Sequence, residues 1–509
     1  MENAIKNKKI IISAALSLVL WSLSFISDRG IFVFPQKTET GYTLALTDYC
    51  ICRILALIVL FALIYAAAVL VFDRDDKRER LLDVLRCGLV YLPVIAIVLI
   101  IKIPAGFVTN DEYSILNDAT HLIHDTWFNF MTVYYFIVSL MLIPVTFAPI
   151  IMKAVIEFFV VGYTVSRTKG YFGKKAGMFM YVLFLLYPVV AYTTSAHRLP
   201  VYFLLYLLLF VKLFFDRLED RSITTGKLFL MLLAGAALTQ WRTEGIYLLV
   251  LVPILLFIVY PHLRGKKQAA LLIISYLAIQ YIISIPQNGI GSDVSGAAND
   301  RMKPFYAYTI TNMYRNGLDT GKNEADLAVI DRYIPIEAIE SINEHYGDIN
   351  YEDVLILMKE EFGGVRQEAG YTEYYDFTEA VKRIFKNNPD VFAKTRIGAF
   401  CYAALPYHMA FEGTGIKELA KSAISVIKTV TYNLFIPTGF AAVLCIYCLI
   451  KRKWYTFFVT GGLIAHWFIV FVLAPASYFK YYFPVYIMAY FYIIVLLIRY
   501  FSHDKRTVI

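Results

Sequence analysis

An acidic pair, Asp111 and Glu112, follows a long apolar run that ends near residue 103. A carboxylate at the edge of a membrane can accept the proton of an attacking hydroxyl, which is the task of a general base. Alternatively, the pair has only a structural role, in which it caps a helix or keeps a loop in solvent. The residue types therefore offer Asp111 as a candidate base, and they leave the structural alternative open.

Three turns between later apolar runs carry cations that suit a negatively charged ligand. They are residues 195–200 with His197 and Arg198, residues 240–245 with Arg242 and Glu244, and residues 477–484 with Lys480 and Tyr481. Arginine offers a planar fork that binds two phosphate oxygens, whereas lysine offers a point charge. Each cation can instead mark the end of a membrane span, and Arg242 can form a neutralising pair with Glu244.

The composition indicates that these residues belong to a membrane protein. The chain has 509 residues, of which 59% are hydrophobic and 17% are charged, and its mean hydropathy is +0.59. Soluble domains carry roughly 25% charged residues, and a soluble chain of this length would need more polar side chains to cover its surface. The net charge of +8 does not indicate a nucleic-acid partner, because in a membrane chain the position of the cations matters more. The six cysteines are scattered and predict neither a disulfide framework nor a metal site.

Apolar runs of about 20 residues, or somewhat fewer inside a bundle, predict transmembrane helices. We predict an all-α polytopic fold with twelve spans, at about 9–27, 50–72, 86–103, 140–164, 176–194, 200–215, 227–239, 245–260, 269–286, 429–450, 455–473 and 482–500. Lys and Arg are concentrated in alternate short loops, so the positive-inside rule predicts that both termini are cytoplasmic. The acidic pair and the three cationic turns are then expected outside the cell membrane.

Residues 287–428 separate two groups of spans and contain more acidic than basic residues. This segment predicts a small, mainly helical extracytoplasmic domain, with helices for example at 323–345 and 378–400. The second of these helices is expected to lie along the outer membrane surface. Its basic residues are Lys382, Arg383, Lys386, Lys394 and Arg396. The predicted organisation is two added N-terminal spans at 1–85, a membrane core at 86–286 with an acidic outer loop at 104–130, the domain at 287–428, and three spans with a cytoplasmic tail at 429–509.

In their order along the chain, these features resemble the GT-C superfamily of integral membrane glycosyltransferases, over about residues 86–500. The motifs are the acidic pair, an aromatic stretch at 127–135 expected at the membrane interface, the Arg198 turn, the hairpin Arg242-x-Glu244-Gly245, and the Lys480-Tyr481 turn that ends in proline. The branch that contains protein O-mannosyltransferases and the lipid A aminoarabinose transferase is the most similar. The chain departs from it at residues 124–126, which read His-Asp-Thr where many members have His-Pro-Pro, and at Lys480, where arginine is commoner.

The resemblance implies that a sugar passes from a polyprenyl-phosphate carrier to a cell-envelope acceptor at the outer face of the bilayer, with inversion at the anomeric carbon. It implies Asp111 as the catalytic base with Glu112 beside it. The residues expected to bind the donor phosphate are Arg198, Arg242 and Lys480, with His197, Glu244 and Tyr481 in support. A divalent cation such as Mg²⁺ or Mn²⁺ is needed by some members, and here Asp111 and Glu112 would hold it; the sequence leaves the metal open.

Two other functions compete with this interpretation. A cell-surface polysaccharide polymerase or ligase also has about a dozen spans and a large outer loop, but its chemistry relies mainly on Arg and His in that late loop. A flippase or other transporter of lipid-linked oligosaccharides predicts ionisable residues deep within the spans. The main residues of that kind are Lys153 and Glu157, and their i, i+4 spacing lets them neutralise each other.

The predicted topology places Asn299 and Arg452 on opposite faces of the membrane. We expect a reporter that is active only outside to work when fused at Asn299, and one that is active only in the cytoplasm to work at Arg452, because an odd number of spans separates the two positions. The measurement is reporter activity in intact cells. Activity of the same reporter at both positions would contradict the topology.

Overall fold

The computed structural model describes residues 2–37, 41–73, 76–107, 109–123, 129–194, 198–291, 302–346, 366, 371–407 and 415–502. Within these ranges every regular element is a helix. Helices suit long apolar sequences in a bilayer, because each backbone N–H and C=O group is hydrogen bonded within its own segment and none is left facing hydrocarbon. The all-α prediction is confirmed for these ranges.

The chain forms two compact units. Unit 1 comprises Met1–Gln287 with Tyr490–Ile509, and unit 2 comprises Asn288–Ala489. The helices that begin in unit 1 are α1 (Glu2–Ser24), α2 (Asp28–Ile31), α3 (Tyr42–Phe72), α4 (Asp76–Ala105), α5 (Asn110–His121), α6 (Phe130–Leu142), α7 (Ala148–Phe172), α8 (Lys174–Leu185), α9 (Tyr187–Thr193), α10 (Arg198–Leu218), α11 (Thr225–Trp241), α12 (Leu248–Val259) and α13 (Lys266–Gly291).

The helices that begin in unit 2 are α14 (Lys303–Arg315), α15 (Glu324–Asp331), α16 (Ile336–Tyr346), α17 (Tyr371–Asn387), α18 (Pro389–Ala404), α19 (Ile416–Thr431), α20 (Phe435–Ile450), α21 (Trp454–Leu473) and α22 (Phe483–Ser502). The last of these, α22, continues across the boundary into unit 1. Helices α14 to α18 share a core of buried apolar side chains that includes Tyr308, Ile330, Phe377 and Val381. The segment predicted as a small helical domain therefore has a hydrophobic core of its own.

Length and apolar composition identify the helices that can cross a membrane. In the described part of the chain nine segments qualify, namely Lys8–Ile31, Tyr42–Phe72, Asp76–Pro104, Ala148–Phe172, Leu199–Leu218, Lys266–Gln287, Lys417–Ile450, Trp454–Leu473 and Phe479–Phe501. The bent pair α8 and α9, at 63° to each other, raises the number to ten if it forms one span. The protein is therefore a multi-pass membrane protein, and the count of twelve remains a prediction.

Two of the predicted spans are absent from these nine segments because their helices are short. The predicted span at 227–239 is α11, which has 17 residues, and the predicted span at 245–260 is a 3-10 turn followed by the 12-residue α12. Helices of this length fall short of the roughly 20 residues that cross a bilayer unaided. They would have to span it inside a bundle.

Helix α6 differs from the prediction for this part of the chain. We expected an aromatic stretch at 127–135 in the membrane interface and a span at 140–164. Residues 127 and 128 lie outside the described ranges, but most side chains of α6 are buried in the core of unit 1, among them Phe130, Tyr134 and Phe136. The spanning helix α7 begins only at Ala148, because the prolines at 144 and 149 separate it from α6.

The segment 378–400, predicted as one helix, is divided between α17 and α18 in the structure. Asn388 interrupts it, and Pro389 begins α18 at a position where the missing N–H of proline costs nothing. Lys382, Arg383 and Lys386 are exposed on α17, as a basic face requires. Arg396 is not, because it is 1% exposed and faces the interior of unit 2. The expectation of one continuous basic face along the membrane is wrong at this residue.

Arg396 caps the end of the membrane helix α21. Its Nε donates to the carbonyl of Phe471 at 2.6 Å, and its Nη2 donates to the carbonyl of Ala474 at 3.0 Å. The last carbonyls of a helix have no partner within the helix and carry a partial negative charge, so a buried guanidinium satisfies them in both respects. This cap joins α18 to α21 within unit 2.

Replacing Arg396 with methionine should lower the free energy of unfolding by about 2–3 kcal/mol, because charged hydrogen bonds to buried carbonyls are lost. Lys394→Met is the matched control, since Lys394 lies on the same helix but is exposed. Thermal unfolding of both purified variants in detergent is the measurement. Equal transition temperatures for the two variants would rule out this role of Arg396.

Candidate functional site

The acidic pair lies in the first turn of α5. Thr109 precedes the helix and forms a capping box with Glu112: the Glu112 N–H donates to Thr109 Oγ1 at 3.2 Å, and the Thr109 N–H donates to Glu112 Oε2 at 3.1 Å. Glu112 is fully buried, whereas Asp111 is partly exposed. The helix-capping alternative therefore describes Glu112, and Asp111 is the carboxylate of the pair that solvent can reach.

Glu112 also belongs to a group of four buried charges. Lys102, at the end of α4, lies 3.5 Å from Glu112 Oε2. On α7, Lys153 Nζ lies 3.9 Å from Glu157 Oε2, and Lys153 also interacts electrostatically with Lys102 and Glu112. We call these four residues the buried charge cluster. Its two lysines and two glutamates balance, so the cluster holds α4, α5 and α7 together without a net charge in the apolar bundle.

Arg242 and Glu244 form the ion pair that the sequence allowed. Arg242 follows α11 and Glu244 lies in the 3-10 turn Thr243–Tyr247. Arg242 Nε donates to Glu244 Oε1 at 2.6 Å, and Nη2 contacts the same oxygen. The guanidinium carbon lies 5.9 Å from the centre of the Tyr202 ring. The hairpin thus presents a nearly buried arginine whose fork already holds one carboxylate oxygen.

The glycine of this hairpin is required by space. A Cβ on Gly245 would lie 2.7 Å from the carbonyl oxygen of Leu238 and 3.3 Å from the Tyr202 hydroxyl. The first distance is far below a normal contact, so a larger residue would push the turn away from α11. The glycine of the Arg-x-Glu-Gly hairpin therefore allows the turn to pack closely against α11.

Contacts bring the acidic loop and the Arg242 hairpin to the same end of unit 1. Asn129, which caps α6, donates from Nδ2 to the carbonyl of Gln240 at the end of α11, and the N–H of Phe130 donates to Gln287 Oε1 at 3.0 Å. Phe107, which precedes α5, packs against α6, and its ring lies 6.1 Å from that of Phe136. We call this the Asp111 end: α4, α11 and α13 finish here, and α5, α6 and α10 begin here.

The other predicted site residues lie at the start of α10 and in a turn of unit 2. Arg198 is the first residue of α10, so its backbone lies one turn from Tyr202 and hence near the Arg242 hairpin. His197 and the side chain of Arg198 lie outside the described part of the structure. Lys480 and Tyr481 belong to unit 2, in the 3-10 turn Phe479–Tyr482.

In unit 2, Lys480 is held by aromatic rings. Its Nζ lies 4.7 Å from the centre of the Tyr478 ring and 5.8 Å from that of Tyr481. The carbonyl of Tyr481 is hydrogen bonded to Nε2 of the buried His466 at 2.9 Å. These contacts fix the turn and leave the ammonium group partly exposed.

In the described part of the structure, the surroundings of Asp111 and Glu112 do not form a metal-binding site. Within those residues no group of three or more His, Cys, Asp and Glu side chains is placed to hold an ion. The buried carboxylate of Glu112 faces the ammonium group of Lys102, which would repel a cation. His124 and Asp125, which follow α5, lie outside the described ranges. We therefore assign no step to a metal.

No protein-family model, curated protein or solved structure matches the chain. Two residues at the site were not named as site residues from the sequence: Lys102, which neutralises Glu112, and Tyr202, which lies under Arg242. A lysine ten residues before Glu112 at the end of an apolar run was a signal for the first, whereas the second depends on how α10 packs against α11.

Removing Lys102 tests whether the buried charge cluster is needed for folding. Lys102→Met should destabilise the protein by about 3–5 kcal/mol, because a buried carboxylate loses its counter-ion. The double variant Lys102→Met with Glu112→Gln should be more stable than Lys102→Met alone. Thermal unfolding measures these two variants and the single variant Glu112→Gln, with Lys227→Met as a control at an exposed lysine. A double variant whose loss equals the sum of the single losses would argue against a coupled pair.

Proposed function

We propose that the protein is a membrane glycosyltransferase that moves a sugar from a polyprenyl-phosphate-linked donor to an acceptor at the outer face of the cell membrane. The observation that carries this proposal is the placement of a partly exposed carboxylate, Asp111, and an arginine fork, Arg242, at the same end of unit 1. A base for the acceptor and a cation for the departing phosphate are the two groups that such a transfer needs.

In the proposed reaction the acceptor hydroxyl attacks the anomeric carbon of the donor. Its oxygen forms the new glycosidic bond, its proton passes to Asp111, and the phosphate leaves with the electron pair of the broken bond. Attack opposite the phosphate inverts the anomeric carbon. Arg242 stabilises the charge that develops on the phosphate, and a nearly apolar setting strengthens that interaction relative to water.

The other predicted residues take supporting parts in this proposal. Arg198 remains a candidate for the phosphate, with His197 next to it in the sequence, and Glu244 is the counter-ion of Arg242 in the absence of donor. For Lys480 and Tyr481, which belong to unit 2, the supporting role stays a prediction from the sequence. Glu112 positions the turn that carries Asp111, since its own carboxylate is committed to the capping box and to Lys102. The acceptor class in this proposal is a cell-envelope molecule with a free hydroxyl or amine.

We further propose that the Asp111 end and the domain at 287–428 are extracytoplasmic and that both termini are cytoplasmic. The opposite helix ends of unit 1 support this orientation, because they are rich in basic residues. Arg167 at the end of α7 pairs with Glu219 just after α10 at 2.9 Å, and Lys169 pairs with Asp83 near the start of α4. Basic residues favour the cytoplasmic side. Twelve spans, with α11 and α12 crossing inside the bundle, agree with termini on one side.

The polymerase or ligase alternative depends on arginines of the late domain, and three of the arginines described there are engaged in contacts within unit 2. Arg396 caps α21, Arg383 pairs with Asp326 at 2.7 Å, and Arg366 pairs with Asp331 at 3.3 Å. The transporter alternative predicts ionisable residues deep within the spans, and the residues of this kind in the buried charge cluster are paired with one another. The geometry therefore favours the glycosyltransferase.

Asp111→Asn should abolish sugar transfer, with a loss of at least about a hundredfold, because the amide cannot accept the acceptor's proton. The measurement is the glycan profile of the cell envelope in cells that lack the protein, complemented with the wild type or with a variant at equal membrane abundance. Asp118→Asn is the matched control, since Asp118 lies on the same helix near its other end.

We expect the wild type and Asp118→Asn to restore a sugar that is missing from the deleted cells, and Asp111→Asn to restore none. Full restoration by Asp111→Asn would remove Asp111 as the base. An envelope that is identical with and without the protein would contradict the proposed function as a whole.

A further inference from the structure

Tyr202 carries a buried hydroxyl that has no hydrogen-bond partner among the described residues. The side chain is fully buried in α10. Buried tyrosine hydroxyls nearly always find a partner, and one that does not is costly to keep. Its neighbour Tyr206 shows the normal case, because its hydroxyl accepts a hydrogen bond from Tyr247 at 3.0 Å. The unsatisfied hydroxyl of Tyr202 therefore calls for an explanation.

The Tyr202 hydroxyl lies inside the Arg242 hairpin. A Cβ on Gly245 would be 3.3 Å from this oxygen, so the hydroxyl rests against the backbone of the turn. The ring lies 5.9 Å from the guanidinium carbon of Arg242, and the hydroxyl also interacts electrostatically with Glu244. A hydroxyl with no hydrogen-bond partner in the described part of the chain thus lies in the same hairpin as a guanidinium group that binds a carboxylate oxygen of Glu244.

We infer that Tyr202 is a further phosphate-binding residue, whose hydroxyl donates a hydrogen bond to an oxygen of the phosphate held by Arg242. This inference rests on the proposed function and adds to it the group that completes the phosphate site. The oxygen of Glu244 marks where an oxyanion sits on the arginine fork, and a phosphate oxygen takes that place when the donor binds. A phosphate offers more acceptor oxygens than the fork of Arg242 engages, so one of them can receive the Tyr202 hydroxyl.

The reason to keep a tyrosine here is specific. Phenylalanine would fill the same space and would leave no buried polar group, so it would suit a purely structural position better. A structural hydroxyl and a ligand-binding hydroxyl therefore predict opposite effects of the same substitution. Removing the oxygen should leave the ligand-free protein as stable as before, or more stable, while it weakens the binding of the phosphate.

The experiment compares Tyr202→Phe with wild type and with Tyr206→Phe, which removes a neighbouring hydroxyl that has a partner. Purified full-length proteins are titrated with a polyprenyl monophosphate in detergent, and with the corresponding polyprenol as the probe that lacks phosphate. For Tyr202→Phe we expect binding of the monophosphate to weaken about tenfold, as for a lost hydrogen bond to a charged group. We expect no fall in its unfolding temperature without ligand. Tyr206→Phe should bind as the wild type does and unfold at a lower temperature.

Competition by inorganic phosphate separates the head group from the lipid tail. If Tyr202 contacts the phosphate itself, the substitution weakens competition by inorganic phosphate in parallel with binding of the lipid. Wild-type affinity of Tyr202→Phe for the monophosphate, or a fall in its unfolding temperature as large as that of Tyr206→Phe, would overturn the inference and leave the proposed function standing. A wild type that binds the monophosphate no better than the polyprenol would overturn both.

Discussion

A charge held inside a bundle of apolar helices must be neutralised within that bundle, because hydrocarbon cannot solvate it. Unit 1 meets this constraint with ion pairs of two kinds. Some join different elements and so fix which of them lie side by side, whereas others join successive turns of one helix or the residues of one hairpin. The pairs are Arg53 with Asp28, Lys102 with Glu112, Lys153 with Glu157, Lys212 with Asp216, and Arg242 with Glu244. The position of the candidate site follows from two of them.

The same constraint explains how the site can be both stable and ready for a ligand. Glu112 and Lys102 neutralise each other and hold the first turn of α5, which leaves Asp111 at the partly exposed position. Arg242 is paired with Glu244, so the charge of this arginine is compensated before the donor arrives. When a phosphate replaces the Glu244 carboxylate on the same fork, Arg242 exchanges one anionic partner for another and stays neutralised. Such an exchange costs less than the burial of a new charge.

Hydropathy allowed the spanning helices with long uninterrupted apolar runs to be predicted to within a few residues. The predicted span at 455–473 is α21, and the span at 200–215 lies within α10. The separation of α6 from α7 and of α17 from α18 was missed, although prolines mark both breaks. Here local backbone chemistry decides the boundary, while an average over apolar residues conceals it.

The site could be predicted only in part, for reasons that differ from residue to residue. The capping box of Thr109 and Glu112 can be recognised in the sequence, because the two residues are three positions apart. This spacing would have assigned Glu112 to the cap and left Asp111 as the candidate base. The burial of Arg396 depends on carbonyls of α21 more than 70 positions away in the chain, and local patterns carry no trace of it. The place of Tyr202 beneath Arg242 likewise arises from packing of α10 against α11.

The most direct test of this account is an experimental structure of the protein in lipid nanodiscs with a polyprenyl phosphate bound. If Arg242 binds the donor phosphate, phosphate density lies on the Arg242 fork, with Glu244 displaced from it and the lipid tail leading from the Asp111 end into the bilayer. Phosphate bound at the basic end of unit 1, with the pair of Arg242 and Glu244 unbroken, would contradict it.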